Sequence, residues 1–410
     1  MSPMSSSTWL VGVAWLAACL AGCYSPSIES CRLTCAADEA CPSGLSCVNG
    51  MCAAAGDTCR GDDAGLPGTC GDTEWVPGEI CFGAAITTGT ELANIHQLQL
   101  ANVDDDPELE IVLVAGTALH AFDVKGNALV PQGALVANAV GAVRAVQLDN
   151  TPTDELVIVD TTNIRVMSRQ GETYHSLEDA TLDADSDAPV VVRAVRLPGP
   201  ERHVVAGNVA KVAMASINDE LEVTVHRSAP FEKVIDIAAG PFDSDPEDEL
   251  AIVTSSSIEV WDANLETAGG ATISISGISR VAFGDVSGDA AHELVYAKAA
   301  DEESPGELGV ARIVGGTISF GDRRQVEDLV GALEVGDVDG DNRSDLISLR
   351  AGSTRAVVVW LGGDTLGAFR EIEAPITPRE LAPPVDLTGD GVPDLVITDG
   401  STLALLPSNP

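Results

Sequence analysis

An acid-rich loop that recurs seven times is the feature that most constrains how this chain can fold. Each copy lies between two apolar runs and has acids at alternating positions, although the third copy has lost its acids. One four-stranded propeller blade needs about 40 to 50 residues. The intervals between loops are 44 to 52 residues, which predicts an all-β, seven-bladed β-propeller with loops that start at residues 102, 147, 196, 241, 285, 337 and 386.

The composition and the short-range pattern both favour strands. Hydrophobic residues make up 45% of the chain but aromatic residues only 4%, so Val, Ile, Leu and Ala must build the core. Side chains that branch at Cβ pack well on a pleated sheet. Residues 110–115 and 119–124 are predicted to be the second and third strands of the first blade, and the third strand recurs at 258–261 and 357–360. We find no long helical period in this region.

The spacing of the acids in the loops is typical of a calcium site. Calcium takes about six to eight oxygen ligands, and a loop with oxygens at positions 1, 3, 5 and 9 can surround one ion, with a backbone carbonyl from position 7. An acidic turn that water merely solvates is the alternative. The predicted ligands are Asp337, Asp339, Asp341, the Arg343 carbonyl and Asp345 in blade six, and Asp386, Thr388, Asp390, the Val392 carbonyl and Asp394 in blade seven.

The other loops match the ligand pattern less well. Blade five offers Asp285, Ser287, Asp289 and Glu293, and blade one offers Asn102, Asp104, Asp106 and Glu110, so both are predicted metal sites. Blade two keeps Asp149, Thr151 and Glu155, and blade four keeps Asp243, Asp245 and Glu249. These two are doubtful sites because they have fewer oxygens. Blade three should bind no ion.

The loops, together with residues 360–369, resemble FG-GAP/VCBS repeats, which form the blades of integrin α-subunit propellers and of many bacterial surface proteins. The resemblance covers about residues 86–410. It implies calcium-stabilised blades and a binding role, with metal loops on one face and partners on the other. On that other face we expect contacts from an acidic insertion at 298–307 and from a loop at 350–355. Plain solvated loops are the alternative.

The N-terminus has the features of an export signal. Residues 9–20 are apolar, a run too short to span a bilayer, and they lead into Leu-Ala-Gly-Cys at residues 20–23. This tetrapeptide resembles the lipobox of bacterial lipoproteins, which implies removal of residues 1–22 and lipidation of Cys23. The basic start that usual signals have is absent. We predict a location at the outer membrane or cell surface; secretion with an ordinary Cys23 is the alternative.

All ten cysteines precede residue 82. An even number of clustered cysteines in an exported chain indicates a disulfide framework, and this segment lacks the C-x-x-C pairs of a zinc site. The sequence does not determine the pairing. Residues 23–81 are therefore predicted to form a small disulfide-rich stalk before a propeller at 82–410, with its bonds drawn from Cys31, Cys35, Cys41, Cys47, Cys52, Cys59, Cys70 and Cys81.

The formal net charge of −41 limits the partners. Such a surface repels phosphate backbones, so nucleic acid is excluded, and membrane contact should come through the lipid. The sequence has no G-x-S-x-G, H-E-x-x-H or P-loop motif. We therefore predict a monomeric, non-catalytic binding scaffold for a protein or glycan, with calcium as its cofactor. A propeller lyase or hydrolase that acts on carbohydrate, or a structural part of an envelope assembly, are the alternatives.

In the last blade we predict a first strand near 380–387, a second at 395–398 and a third at 403–406, which leaves it without a fourth strand. Residues 79–88 precede blade one and have no other evident partner. An unpaired strand edge would expose backbone groups and favour aggregation. We predict that residues 79–88 pair with the last blade and close the ring.

Overall fold

The structure is a computed structural model that divides into two units, Met1–Pro67 and Gly68–Pro410. No helix in its described part is long and apolar enough to cross a membrane. The described residues are 46–48, 51–53, 70, 78–89, 92–104, 106–137, 141–149, 151–160, 162–171, 173–181, 191–199, 201–208, 210–242, 247–262, 265, 268–289, 291–302, 304–314, 317–353, 355–363 and 369–409.

The first unit contains a short antiparallel hairpin of β1 (Ser46–Val48) and β2 (Met51–Ala53). Its backbone register sets Cys47 opposite Cys52. In the second unit, Cys70 and Cys81 form a disulfide, so one pair of the predicted framework lies in the same unit as the propeller. The predicted signal segment 1–22 lies outside the described residues, and so does the predicted lipidation site, Cys23. Four of the predicted framework cysteines also lie outside them: Cys31, Cys35, Cys41 and Cys59.

The second unit contains seven four-stranded antiparallel sheets among its described residues. A short strand, β3 (Ile86–Thr87), precedes blade one, which is β4 (Ile95–Ala101), β5 (Glu110–Ala115), β6 (Ala118–Val124) and β7 (Leu129–Ala137). Blade two is β8 (Ala142–Val146), β9 (Glu155–Val159), β10 (Asn163–Gln170) and β11 (Thr173–Thr181). Blade three is β12 (Val191–Val195), β13 (Arg202–Gly207), β14 (Lys211–Ile217) and β15 (Val223–Pro230).

The remaining blades follow the same order. Blade four is β16 (Asp236–Gly240), β17 (Glu249–Val253), β18 (Ser257–Asp262) and β19 (Ala268–Ser274). Blade five is β20 (Ile278–Gly284), β21 (Glu293–Lys298), β22 (Gly306–Val314) and β23 (Thr317–Val326). Blade six is β24 (Leu329–Gly336), β25 (Asp345–Ala351), β26 (Arg355–Trp360) and β27 (Phe369–Glu373). Blade seven is β28 (Glu380–Leu381), β29 (Leu395–Thr398), β30 (Leu403–Leu406) and β3.

The core lies between the blades. Seven buried clusters each draw side chains from two neighbouring blades. The second strands supply both sides, because successive side chains of a strand point to opposite faces. In β5, Val112 and Val114 pack towards blade two, whereas Ile111 and Leu113 pack towards blade seven. This arrangement explains why the second strands are continuous apolar runs.

The ring closes as the sequence predicts. β3 pairs with β30, with Ile86 opposite Leu405 and Thr87 opposite Ala404. A bridge between Phe82 and Ser408 extends the contact. The predicted second and third strands of this blade match β29 and β30 residue for residue. Its first strand is shorter than the predicted 380–387, because prolines at 383 and 384 have no N–H to donate to a sheet.

Removal of this closing strand should open the ring. We expect deletion of residues 79–88 to give an insoluble or readily proteolysed protein, because β30 would expose its edge. The milder change Thr88→Pro removes the N–H that donates to the Leu403 carbonyl over 3.0 Å. It should cost about 1–3 kcal/mol and lower the melting temperature by a few degrees. Gly89→Ala is the control, since a Cβ there meets nothing within 4 Å. A deletion variant as stable as the wild type would contradict the closure.

Candidate functional site

The predicted acidic loops all join the first strand of a blade to the second, so they lie at one end of the ring. A glycine at position 4 shapes the loops of three blades. Gly288, Gly340 and Gly389 have φ of 76°, 74° and 81°, a region that other residues enter at a cost. This turn brings backbone N–H groups to the position 1 carboxylate. Asp337 thus accepts from Gly340 at 2.6 Å, and Asp386 accepts from Gly389 at 2.7 Å.

The acid at position 9 clamps the loop in six blades. Its side chain, on or just before the first residue of the second strand, accepts the backbone N–H of position 2. This hydrogen bond crosses the loop and fixes its width without any ion. The pairs are Glu110 with Val103 (2.7 Å), Glu155 with Leu148 (2.9 Å), Glu249 with Phe242 (2.6 Å), Glu293 with Val286 (2.9 Å), Asp345 with Val338 (2.9 Å) and Asp394 with Leu387 (2.7 Å).

Burial of the clamp carboxylates makes their charge unfavourable, since low-dielectric surroundings penalise the ionised form. Asp345 is fully buried, and its burial raises its pKa to about 8. Burial likewise raises the pKa of Glu110 and of Glu155 to about 7. Neighbouring acids add to the effect on Glu110 and Asp345. A nearby cation would offset this cost at each of them.

Blade six brings its acids together. Carboxylate oxygens of Asp337, Asp339 and Asp345 lie within 4.8 Å of one another. Asp339 is 3% exposed, and its burial together with Asp341 and Asp337 raises its pKa to about 6. Asp341 accepts the Arg343 N–H at 2.8 Å, which closes the far side of the loop. The donor set, hard oxygens on a closed loop, is the one that calcium prefers.

Blade one brings together a similar set. Oxygens of Asp104, Asp106 and Glu110 lie within 4.8 Å of one another. Asn102 donates its amide to the Asp106 carbonyl at 2.8 Å, but its Oδ1 atom is buried and has no hydrogen-bond partner. Such an orphaned acceptor costs free energy unless something donates to it or coordinates it. The blade one loop thus combines three converging carboxylates with a buried Asn102 oxygen that has no hydrogen-bond partner.

In blades five and seven, other side chains and backbone groups of the protein bond to the loop carboxylates. In blade five, Glu293 accepts the Ser287 hydroxyl at 2.9 Å and forms an ion pair with Arg312 at 3.1 Å. In blade seven, Ser408 donates its N–H to Asp394 at 2.7 Å and its hydroxyl to Asp390 at 2.8 Å. Among the described residues, these two loops do not gather three carboxylates as closely as blades one and six do. The remaining predicted ligands of these blades, Asp285, Asp289, Asp386, Thr388 and Val392, lie in the same loops.

The weaker copies have another role that the sequence did not reveal. The residue at position 8 of blades two and four is an aspartate that reaches back to the previous blade. Asp154 accepts the Asn102 N–H at 3.0 Å, and Asp248 accepts the Arg196 N–H at 2.7 Å. The backbone N–H groups of Asp154 and Asp248 in turn donate to the carbonyl oxygens of Asn102 and Arg196, respectively. These latches join blade two to blade one and blade four to blade three. In blade four, residues 243 and 245 lie outside the described residues.

A charged central channel is the second feature that sequence reasoning missed. The first strands of all seven blades surround a cavity of about 400 Å³. Single charged residues recur along these otherwise apolar strands at blade spacing, and this periodicity is the signal that could have found them. The charged residues that line the cavity are Arg144, Arg193, Asp236, Arg280, Glu334 and Glu380, with His96 beside them in blade one.

Comparison with solved structures defines the class of protein: a seven-bladed β-propeller. The chain is similar to BBS1N in complex with ARL6DN, in crystals soaked with mercury (TM-score 0.60) and with lead (TM-score 0.58). Both comparisons have 12% identity and cover 80% of this chain and 97% of that one. It is also similar to the WD40 domain of Toxoplasma gondii coronin, with TM-score 0.51 and 12% identity over 81% of this chain and 88% of that one.

At this identity the likeness shows the fold alone. No protein-family model matches the sequence, and no curated protein sequence matches it either.

Proposed function

We propose that this chain is a non-catalytic binding scaffold of the cell surface, on which a rigid ring presents loops to a protein or glycan. The closed ring is the observation that carries the proposal. Seven interblade clusters and the β3–β30 pair hold the blades together in one closed ring. Binding residues concentrate on loops that a rigid scaffold supports. BBS1N, a propeller of the same fold, was crystallised in complex with ARL6DN, which supports a protein as the partner.

Loops at the end opposite the acidic loops are the proposed docking site. The insertion between β21 and β22 and the short loop between β25 and β26 are neighbours at that end, because they lie in adjacent blades. Arg350 is held by an ion pair with Glu371 at 2.7 Å, whereas Arg355 is exposed. An exposed guanidinium in a protein of net charge −41 is a favourable contact for a carboxylate or sulfate on the partner.

The repeats are proposed to be of the FG-GAP/VCBS type, with calcium in the loops of blades six and one. Asp337, Asp339 and Asp345 would hold one ion, and the Asn102 and Asp104–Glu110 loop another. The converging carboxylates, their raised pKa values and the orphaned Asn102 oxygen support this choice. The ion would neutralise the buried charge and stiffen the loop. Blades five and seven have partners of their own and need an ion less.

A carbohydrate-active lyase or hydrolase is the second candidate, because catalytic residues on a propeller can converge from different blades. The charged channel is where such residues would meet. Turnover of a polysaccharide panel by the purified protein would favour that reading over a scaffold. A structural role in an envelope assembly is the third candidate. Partners that remain bound through calcium removal and ligand competition would favour it.

Lipidation of Cys23 is the proposed route to the membrane. We expect Cys23→Ser to abolish acyl labelling and to release the protein from the membrane fraction, because the thioether-linked lipid is its only proposed anchor. Labelling with an alkyne fatty acid and fractionation measure the two effects. Cys19→Ser is the matched control and should leave both unchanged. If the Cys23 variant still labels and sediments, the anchor lies elsewhere.

Calcium should stabilise the wild type by about 2.7 kcal/mol per site when its free concentration is about 100 times the dissociation constant. A chelator should therefore lower the melting temperature. Asp339→Asn retains an acceptor for the Asp341 N–H, which lies at 3.1 Å, but removes a charge. We expect it to lose one ion by elemental analysis and part of the response to calcium.

Two control variants distinguish the effect of losing an ion from the effect of losing the clamp hydrogen bond at position 9. Glu155→Gln weakens a clamp in a blade whose described residues include no converging acid set, so it should lower the melting temperature equally with calcium and with chelator. Pro198→Ala in blade three should change neither the amount of bound calcium nor the melting temperature. No bound calcium, together with a melting temperature that ignores the chelator, would leave the loops as plain acidic turns.

The docking end is tested by a binding screen against surface proteins and glycans. We expect Arg355→Ser, combined with deletion of residues 301–304, to weaken any wild-type ligand at least tenfold, since both loops are proposed contacts. Arg202→Ser is the matched control, because Arg202 is equally exposed but follows a loop at the opposite end. Biolayer interferometry of the three proteins measures the affinities. Full retention of every ligand by the loop variant would place the docking site elsewhere.

A further inference from the structure

Most of the charges in the central channel are already paired. Arg193 donates to Asp236 at 3.0 Å, and the same aspartate accepts the Val281 N–H at 3.1 Å. Arg280 forms an ion pair with Glu380 at 3.7 Å. Asp236 of blade four therefore has partners in the neighbouring blades three and five, whereas Arg280 of blade five reaches Glu380 of blade seven. A ligand has little to gain from these four residues, because they would first have to leave one another.

Two channel charges have no such partner. Arg144 projects from β8 and Glu334 from β24. Each attracts the other, but among the described residues neither forms an ion pair or a side-chain hydrogen bond. Burial lowers the pKa of Arg144, and the nearby Arg193 adds to this effect. Burial raises the pKa of Glu334 to about 7, although Arg193, Arg144 and Arg280 oppose the change. Both side chains are half-buried and line the channel, so both are available to pair with a ligand.

The rest of the channel wall leaves room for a ligand. The lining of the channel includes short side chains such as Ala142, Val143, Ala238 and Ala282. The cavity of about 400 Å³ falls within the range of small-molecule sites, about 300–1,000 Å³. Arg144 belongs to blade two and Glu334 to blade six, which are separated by two blades along the shorter path round the ring. A ligand between them therefore crosses the channel.

We propose that the central channel binds a small zwitterion, whose carboxylate pairs with Arg144 and whose ammonium group pairs with Glu334. A simple anion would leave Glu334 unpaired and add a second negative charge beside it. A simple cation would do the same to Arg144. One molecule that carries both groups satisfies both residues. This site is distinct from the proposed docking loops, because a macromolecular partner does not fit a cavity of this volume.

The first test uses the wild-type protein alone. Isothermal titration calorimetry compares glycine, γ-aminobutyrate and ε-aminocaproate, which carry the same two charges at increasing separation, with butyrate and butylamine, which carry one each. We expect at least one zwitterion to bind at least tenfold more tightly than either single-charge analogue. No binding by any zwitterion would overturn the proposal. Equal binding of butyrate would overturn it too, since that result describes an anion site.

The second test uses variants that each remove one charge. Glu334→Gln retains the side-chain length, and Arg144→Met retains an unbranched stem without the guanidinium; each should weaken the preferred zwitterion at least tenfold. The matched controls Arg202→Met and Glu232→Gln remove the same charges from exposed positions and should bind like the wild type. Melting curves establish that each variant is folded, and the wild-type comparison decides the question if one is not. Undiminished binding by both folded channel variants would overturn the proposal.

The pH dependence provides a third measurement. Glu334 attracts an ammonium group only when ionised, so affinity should fall as the pH drops from 8 to 6 through its pKa of about 7. The charged groups that face Glu334 are Arg144, Arg193, Asp236 and Arg280, and Glu380 and His96 lie further round the channel. In Glu334→Gln the residual affinity should lose this dependence. An unchanged pH profile in that variant would contradict the pairing of ammonium with Glu334.

Discussion

The hydrogen bond from the backbone N–H at position 2 to the carboxylate at position 9 is the interaction on which the acidic loops depend. It places a carboxylate on the most buried strand of the blade, where Asp345 and Asp394 have no exposed surface. The loop is thereby fixed, but a buried charge is created that something must offset. Different blades meet this need differently. Arg312 and Ser287 interact with Glu293, and Ser408 interacts with Asp394, whereas the loops of blades one and six each bring three carboxylates within 4.8 Å of one another.

Blade three shows how far the ring supports a weak member. Its loop has lost the position 9 acid, so it has no clamp of its own. Asp248 of blade four accepts the Arg196 N–H and ties the loop from outside. The same latch appears at Asp154, beside a loop that has its own clamp. A neighbouring blade can thus hold a loop in place by hydrogen bonds. This explains how one copy can lose its acids while the fold persists.

The period, the number of blades and many strand bounds could be predicted because they follow from local patterns. β5 and β29 are buried along their whole length, and both are mostly apolar runs in the sequence. Which loops gather their acids could not be predicted, since the deciding partners are distant in sequence: Ser408 for Asp394, and Arg312 for Glu293. The channel charges do recur at blade spacing, but only the ring shows that Arg193 pairs with Asp236 while Arg144 forms no ion pair with a described residue.

Ring closure by β3 has a consequence for the order of events in the life of the chain. The Leu403 N–H bonds to the Thr88 hydroxyl, a residue 315 positions earlier. β3 is made long before β30, so it has no partner until blade seven is synthesised, and the first six blades can form before the ring closes. A product that stops before β30 keeps an unpaired β3 and an uncovered face of blade one. Such a product would therefore expose a strand edge that the closed ring covers.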